Sequence, residues 1–242
     1  MATYREQGIV LRTHKLGETD RIVNLLTTGR GKVRAVAKGV RRPGSRFGGR
    51  LEPYSLVDLQ LYEGRNLDVV NQAELVSAHD AVRTDFGLSA AAATMVEAVD
   101  AVAQEGERDT RLFLLLRAGL DALDAAPPYP AVFVDAFLLR LAGAQGFHVF
   151  TDACARCRAM GSHPFLSVVH GGMLCADCAP AGTKAVDDRV VAAVRLLASD
   201  RWAALVEAGE DLATRGTAAS YARAFAEHHL DRRLRSYDLV PR

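Results

Sequence analysis

The chain has 242 residues and is close to neutral, with 30 Lys or Arg against 29 Asp or Glu. That length allows one large domain or two small ones, each with its own hydrophobic core. Because 49% of the residues are apolar and 24% are charged, the composition excludes a largely disordered chain.

The neutrality conceals an asymmetry along the chain. Residues 1–50 contain twelve Lys or Arg and only three Asp or Glu, which predicts a basic N-terminal surface and an anionic partner. The first ten residues, MATYREQGIV, have no apolar segment behind a basic start, so we expect no secretory signal. No apolar run approaches the roughly 20 residues of a membrane helix. We therefore expect a cytoplasmic protein with reduced cysteines and no membrane contact.

Residues 5–75 are predicted to form five short strands. The runs GIVLRTH, RIVNLL, KVRAVAK, SLVDLQLY and LDVVNQAEL are rich in Val, Ile and Leu, and turn-forming residues separate them. In the fourth run Val57, Leu59 and Leu61 alternate with polar residues, as in a half-buried strand. Five short strands favour a small closed barrel, and the OB-fold is a five-stranded barrel that often binds nucleic acids. We predict an OB-fold domain over residues 1–80.

Residues 30–50 concentrate positive charge and contain no Asp or Glu. Lys32, Arg34 and Lys38 share one face of the third strand because they alternate with apolar residues. The segment RRPGSRFGGR that follows is glycine-rich and is expected to be a mobile loop. A charged face can follow a phosphate backbone while a mobile loop orders on contact. The predicted DNA-binding residues are Arg30, Lys32, Arg34, Lys38, Arg41, Arg42, Arg46 and Arg50.

Other interpretations of these residues are open. The basic run can serve solubility alone, although mixed signs of charge serve that purpose better. Phe47 and Tyr54 can stack on unpaired bases, but single aromatic residues more often pack inside a fold. A second basic group near the C-terminus, Arg232, Arg233 and Arg235, is explained as well by the favourable position of cations at a helix end.

From residue 81 onward the pattern becomes helical, with cysteines in an insertion. Helices are predicted at LSAAAATMVEAVDAVAQ, where Ser89 is placed as the cap, and at DTRLFLLLRAGLDALDAA. PAVFVDAFLLRLAGAQG begins with Pro130 in the first turn and ends at Gly146. Two further helices follow residue 185, at DDRVVAAVRLLAS and GTAASYARAFAEHHLDRRLRSY. We predict an α-helical domain over residues 81–242, interrupted at about 151–182.

All four cysteines lie in that insertion, as Cys154, Cys157, Cys175 and Cys178. Their spacing, C-x2-C-x17-C-x2-C, is typical of a structural zinc site, in which two turns supply four thiolates to one tetrahedral ion. FLSVV and ML, on either side of HGG, are predicted to form a hairpin that joins the two turns. His163 and His170 are alternative ligands. A site of four thiolates has no open position for water, so we expect one structural Zn²⁺ per chain and no metal catalysis.

Several segments together resemble the RecO family of bacterial recombination mediators. GETDRIV, AKGVRR and SRFGGRLEPY match its N-terminal domain, and CARC and GGMLCADC are similar to the zinc module of many members. The resemblance implies an α+β protein: an N-terminal OB-fold, then a helical domain with an inserted zinc-binding hairpin.

The resemblance also implies a function in recombinational DNA repair. Members of the family bind single- and double-stranded DNA and anneal complementary strands. With RecR they help RecA to replace single-strand-binding protein (SSB), which they contact through its C-terminal tail. We therefore expect a DNA-binding mediator that associates with the nucleoid. The alternative is an OB-fold RNA-binding protein or a zinc-containing regulator without annealing activity.

Enzymatic activity is not expected. No histidine is followed two positions later by Glu, as a nucleobase deaminase requires. The sequence has no phosphate-binding loop of the type G-x-x-x-x-G-K-S/T, no G-x-S-x-G and no H-E-x-x-H.

Overall fold

The protein is described from a computed structural model that covers residues 2–213 and 216–242. The chain forms two compact units, one up to Ala125 and one from Ala126 onward. The first unit thus contains the first three helices together with the strands. The division of the sequence at residue 80 stays a prediction.

The first unit contains the five strands expected from the sequence, and they close into a barrel. Their order around the barrel is β1-β2-β3-β5-β4, and β4 pairs with β1 to complete the circle. Neighbouring strands are antiparallel except β3 and β5, which are parallel. This is the five-stranded OB-fold barrel that was predicted. The strands are β1 Thr3–Leu16, β2 Asp20–Thr27, β3 Gly31–Ala37, β4 Leu56–Tyr62 and β5 Asp68–Ser77.

The barrel interior is built from the apolar residues that alternate along the strands. On β3, Val33, Ala35 and Ala37 are buried while Arg34 is exposed, so the predicted alternation is confirmed. Three residues of the segment between β3 and β4 join the same core. The core cluster consists of Val10, Val23, Leu25, Val33, Ala35, Ala37, Val40, Phe47, Leu51, Val57, Leu59, Leu61, Val70 and Ala73.

The parallel contact between β3 and β5 spans two residue pairs, Ala35 with Asp68 and Val36 with Val69. Residues 104–105 continue the pairing along the first part of β3. The amide of Lys32 donates to the Gln104 carbonyl over 3.0 Å, and Glu105 forms bridges with Gly31 and Lys32. Gly31 has φ of +62°, and a Cβ there would overlap the backbone of Glu107. The close approach of these segments therefore requires glycine.

Three helices complete the first unit: α1 Asp80–Thr84, α2 Phe86–Val102 and α3 Thr110–Asp124. The cap of α2 is Asp85, whose carboxylate accepts the Leu88 amide over 2.8 Å. The prediction of Ser89 as the cap is wrong, because Asp85 lies one turn earlier and Ser89 is already helical. Buried His79 precedes α1, and its two ring nitrogens contact the Tyr54 carbonyl at 2.8 Å and the Asp121 carboxylate at 3.0 Å.

The second unit is helical around a central helix, α4 Pro130–Ala144. Every residue from 131 to 139 is buried, as expected for a helix with neighbours on all sides. Pro130 occupies its first turn, as predicted. The elements that follow are β6 Phe165–Ser167, β7 Gly172–Leu174, α5 Asp188–Ala198, α6 Trp202–Glu207, α7 Gly209–Ala213, α8 Gly216–His229 and a 3₁₀ turn at Ser236–Leu239.

A buried carboxylate ties the end of the chain to α4. Asp135 accepts hydrogen bonds from the Tyr237 hydroxyl at 2.8 Å and from the Arg242 guanidinium at 2.9 and 3.1 Å. Burial raises the pKa of Asp135, and the bonds from Arg242 and Tyr237 oppose that rise.

Candidate nucleic-acid interface and metal centre

The predicted DNA-binding residues on and beside β3 lie next to carboxylates. Lys32 Nζ is 3.3 Å from the Asp100 carboxylate and 3.0 Å from its backbone carbonyl. Arg34 lies 4.0 Å from Glu105. Arg30 lies 3.4 Å from the Glu63 carboxylate and stacks on the Tyr4 ring at 3.8 Å.

Asp100 also binds a cation that the sequence analysis missed, Arg12 of β1. The last turn of α2 therefore lies over the outer face of the barrel, where it reaches two different strands. Burial lowers the pKa of the Lys32 ammonium, and the neighbouring charge of Arg12 lowers it further. No local pattern marks this contact, because 68 residues separate Lys32 from Asp100.

The glycine-rich segment after β3 is folded against the barrel, which differs from the mobile loop expected. Val40, Phe47 and Leu51 are buried in the barrel core, and Phe47 is only 1% exposed. Successive turns join residues three apart, with amides of residues 42, 45, 48 and 50 donating to carbonyls of residues 39, 42, 45 and 47. At its start, the Gly39 amide donates to the Asp20 carboxylate over 2.8 Å. The apolar anchors therefore fix a segment that its glycines alone would leave free.

Five predicted DNA-binding residues project from this folded segment and are exposed: Lys38, Arg41, Arg42, Arg46 and Arg50. We call them the loop cations. Within residues 2–213 and 216–242, no carboxylate forms an ion pair with any of them.

Backbone carbonyls orient two of the loop cations, and an aromatic ring contacts a third. Arg41 donates to the carbonyls of Gly17 and Glu18 at 3.3 and 2.8 Å, and Arg50 donates to the Arg46 carbonyl at 2.6 Å. The Arg46 guanidinium lies 4.9 Å from the centre of the Phe47 ring. Carbonyl partners do not neutralise a guanidinium, and the carboxylate whose charge acts on Lys38 and Arg42 is Asp20. Five cations near one carboxylate leave a net positive charge, so the loop cations form an electropositive patch.

The structure separates the two aromatic residues that were candidates for base stacking. Phe47 packs in the core, so it offers no face for a nucleobase. Tyr54 is half-buried, and burial raises the pKa of its hydroxyl. Arg232, Arg233 and Arg235 are exposed and follow the end of α8.

The four cysteines come together in the second unit. Their sulfur atoms all lie within 4.8 Å of one another, and Cys157 Sγ is 3.8 Å from Cys175 Sγ. In a tetrahedron of four sulfurs at about 2.3 Å from a central ion, neighbouring sulfurs are about 3.8 Å apart. All four are free thiols. The set is therefore arranged to hold one metal ion.

Short backbone pairings form each cysteine turn. Around the first turn, Cys154 donates its amide to the Ala159 carbonyl over 2.8 Å. The second turn follows β7, which is antiparallel to β6, so the predicted hairpin is confirmed. The Ala155 amide donates to the Met173 carbonyl over 2.7 Å and joins the two turns. Gly172 is required beside them, because a Cβ there would overlap the Phe150 backbone.

The thiols have opposite tendencies to ionise. Burial disfavours the Cys154 thiolate, but amides of Cys157, Cys175 and Arg156 outweigh burial and lower its pKa to about 5. A hydrogen bond with Cys175 and burial raise the pKa of Cys178 to about 12. Neighbouring thiolates repel, and a divalent cation would remove that repulsion.

The alternative histidine ligands have other partners. His163 Nε2 lies 2.8 Å from the Ala159 carbonyl, and His170 Nδ1 lies 3.0 Å from the Ser167 hydroxyl. The clustered metal-binding side chains in the described part of the chain are the four cysteines.

None of the described helices is both long and apolar enough to span a bilayer.

Comparison with known proteins places the whole chain in one family. Residues 1–79 match the family model "Recombination protein O N terminal", and residues 83–238 match "Recombination protein O C terminal".

Three relatives carry the name "DNA repair protein RecO". The protein of Frankia casuarinae is 44% identical over 248 residues, which cover 100% of both chains. That of Cutibacterium acnes is 41% identical over 248 residues, also 100% of both chains. That of Nocardioides sp. is 44% identical over 246 residues, or 99% of both chains. Since the family models cover nearly the whole chain and the relatives align over its length, the chain belongs to the RecO family of DNA repair proteins.

Proposed function

We propose that this protein is a DNA-binding recombination mediator that anneals complementary single strands and, with RecR, helps RecA to load onto DNA coated with SSB. The observation that carries the proposal is the patch of loop cations, exposed on an anchored segment and without carboxylate partners among the described residues. Annealing brings two polyanions together, and a fixed array of cations lowers their repulsion without any bond being broken or formed. The protein is therefore proposed to act without catalysis.

Binding through phosphates leads to two expectations. Affinity should fall steeply with salt, because each phosphate contact on single-stranded DNA contributes a slope of about −0.7 in a plot of log K against log salt concentration. Sequence preference should be weak, since phosphates carry no base information. A preferred duplex site would instead support a regulator, and a preference for RNA would support an RNA-binding protein.

Strand annealing tests the assignment of the loop. In the test variant Arg41, Arg42, Arg46 and Arg50 are changed to Ala. Loss of four phosphate contacts should weaken binding to oligo(dT) about 200-fold at 0.15 M NaCl and abolish most annealing of complementary strands, with and without SSB.

The matched control removes four exposed arginines elsewhere in the same unit, by changing Arg5, Arg65, Arg108 and Arg111 to Ala. It has the same net charge as the test variant, so it separates local contact from total charge. Equal loss of annealing in both variants would contradict the assignment of the loop, and unchanged annealing in the test variant would contradict it as well.

The metal of the cysteine cluster is proposed to be Zn²⁺, one per chain. Four cysteines whose sulfurs lie within 4.8 Å of one another suit Zn²⁺, which would complete a closed structural site and join the two cysteine turns. Elemental analysis of the purified protein should give one zinc per chain. Less than half an equivalent, with another metal in its place, would contradict this identity.

The partners RecR and SSB are proposed from membership of the family, as is association with the nucleoid in the cytoplasm. The contact with SSB is proposed to use the C-terminal tail of SSB. Binding measured with intact SSB and with SSB that lacks its tail tests this point directly. Equal affinities for the two forms would contradict it, whatever the outcome for DNA binding.

A further inference from the structure

Asp100, near the end of α2, holds two cations from different strands on the outer face of the barrel. Its side chain is 9% exposed and contacts Arg12 of β1 and Lys32 of β3. Lys32 is 19% exposed, and its ammonium also donates to the Asp100 carbonyl. One donor position of the ammonium is thus used by the Asp100 carbonyl, and the carboxylate of the same residue lies within ion-pair distance of Nζ.

This arrangement makes Lys32 a poor phosphate ligand. A phosphate would have to withdraw the ammonium from a half-buried ion pair and would leave the Asp100 carboxylate uncompensated. One phosphate contact improves affinity about fourfold at 0.15 M salt. That gain is small beside the cost of separating a partly buried pair.

Other carboxylates extend the negative charge around these cations. Glu105 lies 4.0 Å from Arg34, and both side chains are about half exposed, so this pair is looser. Residues 104–105 also bond to the backbone of β3, which holds Glu105 beside the strand. The loop cations, by contrast, project from the next segment of the chain and have no ion-pair partner in the described residues.

We propose that Asp100, supported by Glu105, sets a boundary of the DNA footprint by holding Arg12 and Lys32 as internal ion pairs, so that DNA contacts the loop cations and not the outer face of β1 and β3. This inference rests on the proposed DNA-binding function. It differs from the common use of an OB-fold, in which the face formed by strands 2 and 3 binds the oligonucleotide. Asp100 would therefore determine where on the barrel DNA binds.

The test compares salt slopes for oligo(dT) binding, measured by fluorescence anisotropy between 0.05 and 0.5 M NaCl. In one variant Arg12, Lys32 and Asp100 are all changed to Ala, which removes the cluster without leaving an unpaired buried charge. Its slope should match the wild type, because neither cation contacts phosphate. If both cations contact DNA, the slope becomes less negative by about 1.4, and the inference is overturned.

The second variant, Asp100→Asn, removes the carboxylate and keeps both cations. Release of Arg12, which is 54% exposed, should add one phosphate contact and tighten binding about fourfold at 0.15 M NaCl. Unchanged or weaker binding by a variant with a wild-type circular dichroism spectrum overturns the inference. A salt slope near zero for the wild type would instead remove the proposed DNA-binding function itself, so the two failures are distinguishable.

Discussion

Phe47 determines whether the arginine-rich segment after β3 is anchored to the barrel or is a mobile loop. Its ring is 1% exposed and packs in the barrel core with Val40 and Leu51, while the arginines on both sides of it face solvent. Truncation by Phe47→Ala removes the ring from the core and leaves a cavity there. Such changes cost about 3–5 kcal/mol when the site collapses only partly.

The expected loss in the free energy of unfolding is large, because an ordinary domain is stable by only about 5–15 kcal/mol. Urea unfolding followed by circular dichroism should therefore give a free energy of unfolding about 3 kcal/mol or more below the wild type. The control is Arg42→Ala on the same segment, which should stay within about 0.5 kcal/mol because its side chain is exposed.

A second measurement links the anchor to function. If Phe47 fixes the loop cations in place, the folded Phe47→Ala protein should bind oligo(dT) more weakly, because ordering the segment then costs conformational entropy at the moment of binding. A loss of less than 1 kcal/mol in stability, with unchanged affinity, would refute the reasoning and restore the mobile loop that the glycine content suggests.

Three further predictions concern the second unit. Cys157→Ser should reduce bound zinc below one equivalent and lower the melting temperature. The control Ala159→Ser, two residues away, should change neither quantity. Full metal content in Cys157→Ser would argue against the four-thiolate site. Gly172→Ala should displace the hairpin, because its Cβ overlaps the Phe150 backbone, and elemental analysis should then find less metal; an unchanged metal content would count against that steric argument. Arg242→Gln should destabilise the protein by about 2 kcal/mol at pH 7, less than for a fully buried pair because Arg242 is 38% exposed. Burial already raises the pKa of Asp135, and loss of Arg242 should raise that pKa further. The destabilisation of Arg242→Gln relative to the wild type should therefore shrink as the pH falls toward the ordinary carboxyl value of 3.8, because Asp135 becomes protonated. A deficit that is constant with pH would show that Arg242 does not act through Asp135.

The features that the sequence predicted correctly depend on neighbours along the chain. Alternation over a few residues identifies a strand such as β4, and two C-x2-C turns identify the cysteine cluster, because the physical causes of both lie within short segments. The first turn of α4 followed in the same way from Pro130.

The features that the sequence did not predict arise from distant contacts. Composition alone predicted a mobile loop at residues 41–50, but Phe47 is buried in a core that all five strands build together, which no local pattern describes. The charged face of β3 was identified correctly, yet its exposure depends on Asp100, which a different element brings to it. The cap of α2 was placed wrongly because two suitable residues, Asp85 and Ser89, lie one turn apart and the apolar pattern does not distinguish them.

The pairing of residues 104–105 with the start of β3 has a consequence for how other molecules attach. A β-sheet with a free edge can accept an added strand from another chain, which leads to aggregation or to peptide capture through backbone hydrogen bonds. Here the ring of strands is closed, and residues 104–105 occupy backbone groups at the start of β3, ahead of the short contact between β3 and β5. The start of β3 is therefore not available for strand addition, and a change that loosens residues 104–105 should lead first to self-association.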